Sequence, residues 1–149
     1  MVGNQQTEFV IKDILNEKGY AILNPEDKIN GQTGVDILAA NGKEVFYIEV
    51  IGYKKSGPAR SKDFFEIFFR AISRLSKEEN RICIIALPFD FTKGIIQRVK
   101  NYNTAWERIG NSFPELRVWF VKEEGKLLYE YRWNDLLNFN IKNIDSHLF

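Results

Sequence analysis

The chain is short of the side chains that many enzymes work with. It has one cysteine, Cys83, and one histidine, His147, in 149 residues. A lone thiol has no partner for an internal disulfide, which suits a reducing compartment. Cys83 lies in the run Ile82-Cys83-Ile84-Ile85 and reads as a small buried apolar residue. One Cys and one His exclude an ordinary intrachain zinc site and argue against Ser-His-Asp or Cys-His chemistry. His147 stands beside the end of the chain, where a loose segment is expected. No apolar run approaches the roughly 18 residues that cross a bilayer. The first residues, Met1-Val2-Gly3-Asn4-Gln5-Gln6, lack a signal-peptide pattern, so a soluble cytoplasmic protein is expected. There is no internal repeat and no phosphate-cradling glycine loop. Net charge is only +1, which does not by itself point to nucleic acid, although a local basic surface matters more than the sum.

What remains is a well-supplied apolar core: hydrophobic residues are 44% of the chain and aromatics 14%. A single folded domain over 1–149 is expected. Residues 5–18 read as an amphipathic helix on Phe9, Ile11, Ile14 and Leu15, stopped at Gly19. Tyr20 to Leu23 is a short strand. Two apolar strands follow, Gly34 to Ala40 and Glu44 to Ile51, and then a basic loop, Gly52 to Arg60. Ser61 caps a helix to about Leu75. Arg81 to Leu87 fits a central strand buried on both faces. A helix over 93–109 ends at Gly110, and strands Leu116 to Val121 and Lys126 to Trp133 follow; the last residues are ambiguous. The order predicts an α/β domain with a mixed sheet: an antiparallel hairpin, then a strand after a helical crossover.

Two acids interrupt this apolar pattern. Asp36 and Glu49 sit on the two strands joined by Asn41-Gly42, a strong hairpin signal. A carboxylate in so apolar a strand is costly unless something satisfies it. With Asn41 and Gly42 as the loop, Ala40 pairs with Lys43 and Asp36 faces Tyr47. Glu49 is then the diagonal neighbour of Asp36 on the same face, at roughly 7–8 Å between backbones. Two carboxylates so placed can share one metal ion; the plainer reading is that both sit at a solvated sheet face or pair with Arg or Lys. A one-residue change in the loop would put them on opposite faces.

These residues resemble the PD-(D/E)XK nuclease superfamily. The likeness rests on a first helix carrying Glu8, the Gly34-Val35-Asp36 strand, the strand ending Ile48-Glu49-Val50, then a helix and a buried strand. It covers about residues 5–88, with 89–149 as a peripheral extension. It implies a restriction-endonuclease-like mixed sheet with helices on both faces, in the order α-β-β-β-α-β plus a C-terminal helix and strands. It implies Mg²⁺ or Mn²⁺ held by Asp36 and Glu49, helped by Glu8 and the Val50 carbonyl. It further implies hydrolysis of phosphodiester bonds in DNA, and a homodimer, since many relatives cut two strands with two subunits. The family's catalytic lysine would fall at Ile51, and this chain departs from the pattern there. Lys54, Lys55 and Lys62 are the replacement candidates. Arg60, Arg70 and Arg74 are candidates for phosphate contact, with salt bridges to Glu66 or Asp63 as the plainer reading of Arg70 and Arg74. Trp106, Trp119 and Trp133 fit core packing better than base stacking. The isoleucine keeps a second reading open: a nuclease-like fold that binds nucleic acid or a partner protein without cutting.

Overall fold

Residues Arg81 to Pro88 become the middle strand because nearly all are apolar and three are isoleucine, which suits a pleated surface covered twice. The computed structural model describes residues 3–23, 35–52, 57–75 and 81–149. These form helices α1 (Gly3–Glu17), α2 (Gly57–Ile72), α3 (Thr92–Asn101) and α4 (Asn103–Ser112). The strands are β1 (Ala21–Leu23), β2 (Ile37–Ala40), β3 (Val45–Val50), β4 (Arg81–Pro88), β5 (Leu116–Lys122) and β6 (Leu127–Arg132). They make one sheet in chain order, β1-β2-β3-β4-β5-β6. β1, β2 and β3 are antiparallel, β3, β4 and β5 are parallel, and β6 returns antiparallel. The fold is mixed α/β, with residues 89–149 adding two strands to the same sheet.

Side-chain alternation divides the core in two. One face carries Ile51, Cys83, Ile85, Leu87, Val118 and Phe120 under α2, α3 and α4. The other carries Phe46, Ile48, Val50, Ile84, Ala86 and Trp119 under α1, which contributes Val10, Ile11, Ile14 and Leu15. Helices therefore cover both faces.

Several expectations are corrected. The β2–β3 loop has four residues, not two: Ala40 pairs with Val45. The Asn41 side chain accepts from the backbone N–H groups of Lys43 (3.0 Å) and Glu44 (2.9 Å), which builds a wider turn around it. α2 begins at Gly57, so Gly57 to Arg60 belong to the helix and Ser61 is no cap; a proline is tolerated in a first helical turn. The helix expected over 93–109 is two, broken at Tyr102 (φ −128°, ψ 40°). Gly110 does not stop the second. It lies inside α4, where an added Cβ would overlap the Asn134 amide. The tail is packed, not loose. It forms 3-10 turns at Trp133–Asn138 and Ile141–His147. The His147 ring stacks on Tyr131 with centroids 3.9 Å apart, and the Phe149 N–H donates to the Leu128 carbonyl at 2.9 Å. All three tryptophans are buried. Trp106 and Trp133 stack at 3.8 Å, and each donates its indole N–H to the other's carbonyl at 2.8 Å.

Candidate active site

The corrected hairpin keeps the two acids on one face. The loop grew by two residues, which preserves the parity that a one-residue change would have inverted. Continuing the observed register, Ile37 with Ile48, sets Asp36 directly across from Glu49, not diagonal to it. Asp36 precedes the first paired residue of β2, and its Oδ2 accepts from the Val50 N–H at 2.8 Å. That bond pins the carboxylate at the end of β3. The bond engages the Val50 N–H and not its carbonyl, the group expected as a metal ligand.

Glu49 is wholly enclosed between β3 and α2, at 0% exposure. The Arg74 guanidinium, just past the end of α2, donates to its Oε1 through Nε (3.1 Å) and through a terminal nitrogen (2.9 Å). Arg74 is itself only 7% exposed. The other oxygen, Oε2, is buried without a hydrogen-bond partner among the described residues. Burial, and after it the negative charge of Asp36, raise the Glu49 carboxyl above its ordinary value, against the pull of Arg74 and the weaker one of Arg70. Glu8, half-buried on α1, is raised by burial and then by Asp36, with Lys12 opposing. Three carboxyls on three elements thus share one electrostatic neighbourhood.

The other sequence candidates fall in different places. Lys54 and Lys55 lie outside the described residues, and so does the side chain of Arg60. Lys62 is exposed on α2 and forms no ion pair with either acid among the described residues. Ile51 is buried in the face under α2, and its N–H donates to the Ala86 carbonyl at 2.9 Å. Arg70 is half-buried on α2, near enough to act on Glu49 electrostatically.

Mg²⁺ commonly uses one or two protein carboxylates and keeps several waters. Asp36 and the unpartnered Glu49 oxygen match that requirement. No group of three or more His, Cys, Asp or Glu residues closes around a metal position among the described residues, so Glu8 stands near the pair without completing a cage.

Two solved structures are similar in fold. One is described as an FdxN element excision controlling factor protein from Anabaena variabilis. It is 19% identical, with TM-score 0.63, covering 86% of this chain and 98% of that one. The other is an XisH family protein from Nostoc punctiforme PCC 73102, also 19% identical, with TM-score 0.58 over 83% of this chain and 96% of that one. No protein-family model matches the chain. No curated protein matches it either. The likeness shows the mixed α/β fold.

Pairing of Glu49 with an Arg or Lys is among the sequence expectations; that the partner is Arg74 is what sequence reasoning missed. Arg74 was weighed only against phosphate, Glu66 and Asp63, its neighbours along the helix. The usable signal was the acid itself: a carboxylate inside an apolar strand requires a cation from the element packed over it, and α2 offers Arg70 and Arg74 for that.

Proposed function

We propose that this protein is a metal-dependent endonuclease-like enzyme hydrolysing phosphodiester bonds in DNA. The observation that supports it is the Glu49 oxygen, buried, unpartnered and across the sheet from Asp36. An orphaned buried carboxylate oxygen costs stability unless it serves a ligand. Asp36 and Glu49 would hold Mg²⁺ or Mn²⁺, with Glu8 alongside. The ion would supply a more acidic bound water and charge neutralisation on the scissile phosphate. Of the chain's own groups, the Val50 N–H fixes Asp36, and Arg74 fixes one oxygen of Glu49 and so directs the other away from itself. Lys62, Lys54 or Lys55 would orient the attacking water in place of the lysine that Ile51 replaces. The excision-controlling description of one fold neighbour adds support for a nucleic-acid substrate.

A specific observation favours a second reading. Ile51 is packed into the core, and Arg74 already neutralises Glu49, an arrangement that suits a domain that binds DNA or a partner protein without cutting it. Thermal unfolding with and without Mn²⁺ and Mg²⁺ tests the site, using wild type, Asp36→Asn and Glu49→Gln. Metal at 100-fold over its dissociation constant adds about 2.7 kcal/mol. A shift present in wild type and absent from both variants supports the metal site, and metal-dependent nicking of plasmid DNA by wild type alone then supports the enzyme. A shift without nicking favours the binding domain. No shift at millimolar metal overturns the metal site.

A further inference from the structure

The parallel strands β3, β4 and β5 end along one rim of the sheet. Glu49 lies at the end of β3, Pro88 at the end of β4 and Lys122 at the end of β5. In open α/β sheets this carboxyl rim is where ligands collect. A cavity of about 480 Å³ opens there, immediately beyond β4. Phe89, Ile96 and Phe139 give it an apolar floor that belongs to the α2 side of the sheet, the side that also holds Glu49. Its wall is one face of α3, where Lys93, Gln97 and Lys100 recur at helical spacing and all three are exposed. The Lys122 ammonium sits 5.5 Å from the Phe89 ring centroid, which brings a third cation to the mouth. Asp90 is the one acidic residue of the lining.

We infer that this cavity binds an unpaired segment of nucleic acid leading away from the Asp36–Glu49 pair. Two features select this occupant. Phenylalanine rings flanked by lysines match a polyanion whose bases are free to stack, and a paired duplex hides those faces. The location puts cavity and carboxylates on one rim: β5 is two strands over from β3, about 10 Å across the sheet, or roughly two nucleotides of extended strand. A phosphate held at the carboxylate pair would therefore have its neighbours delivered to Lys122, Lys93 and Lys100. The inference deepens the proposed nuclease reading and rests on it for the direction of the track, although the cavity itself can be tested without metal.

The experiment is fluorescence anisotropy in EDTA, with a labelled unpaired oligodeoxynucleotide and the same sequence as a blunt duplex. Lys93→Glu/Lys100→Glu is compared with Lys18→Glu/Lys43→Glu, an equal charge change at exposed positions away from the cavity. The first pair should weaken unpaired binding at least tenfold and reduce the salt slope by about 1.4, while the second changes it little. Phe139→Leu, which keeps the apolar volume, should cost about fivefold on the unpaired probe and leave the duplex unchanged. Absence of binding by wild type, equal loss in both charge pairs, or a preference for duplex would each overturn the inference. The Mn²⁺ thermal shift of the Lys93→Glu/Lys100→Glu protein is recorded in parallel. It should match wild type, so a failed cavity and a failed metal site give separate signatures.

Discussion

The two faces of the sheet each carry a strand glutamate paired with arginine, and they solve the same problem differently. On the face under α1, Glu130 on β6 is 24% exposed, and its Oε2 accepts from Arg117 (3.2 Å) and from the Trp119 indole (2.8 Å). Arg117 also reaches Glu44 at 3.6 Å, and Glu44 accepts from the Tyr20 hydroxyl at 3.3 Å. Each acid there has water within reach or several donors. On the face under α2, Glu49 is sealed in, one oxygen bonded to Arg74 and the other to no partner among the described residues. The first arrangement closes a sheet edge. The second leaves a buried carboxylate oxygen open, as the proposed metal site would need.

Removing the arginine from each pair should separate them most sharply. Arg74→Met leaves a buried uncompensated carboxylate, which typically costs about 3–5 kcal/mol. Arg117→Met disturbs a pair that solvent already screens and should cost at most about 1 kcal/mol. Urea unfolding of the two variants at neutral pH measures both. Equal losses would abolish the distinction between the two faces.

Editing the glutamate on the α1 face sharpens the contrast further. Glu130→Ala strands the indole N–H of Trp119, a residue with no exposed surface, at a cost of about 1–3 kcal/mol. Glu130→Gln keeps an acceptor and should recover most of that loss. Neither change should alter the Mn²⁺ thermal shift, whereas Glu49→Gln should remove it. If Glu130→Gln also abolished the shift, metal would be acting on the wrong face of the sheet.

Much of the sheet was legible in the chain because its signals are local. The hydrophobic run of β4, the hairpin turn and the period of α1 are each written within a dozen residues, and the order of elements follows from them. The parity of Asp36 and Glu49 survived a wrong loop length because the error was even. What local reading missed depends on partners distant in sequence. Asn41 widened the turn by accepting two N–H groups that the Asn-Gly pattern does not specify. Gly110 looked like a helix stop, yet it is there so that Asn134, 24 positions on, can approach α4. His147 looked free, yet it stacks on Tyr131. Arg74 needed the packing of α2 over β3 before its purpose could be read.

The smallest expected effect is also the most diagnostic, because its sign depends on whether the site is filled. Glu8 and Glu49 both have carboxyls raised above their ordinary value of 4.5, through burial first and Asp36 second. In each case the folded state binds the proton more tightly than the unfolded chain does. Stability from this source is therefore fully present below about pH 4.5 and declines as pH rises from there through the raised folded value, the reverse of the usual carboxylate contribution. The difference in unfolding free energy between wild type and Glu8→Gln, followed in EDTA from pH 4 to 7, should fall with rising pH and then level. Saturating Mn²⁺ should turn that slope round, since a metal binds the ionised carboxylates and competes with their protons. A slope that ignores metal would mean that the crowded acids at the carboxyl end are a cost of packing rather than a site.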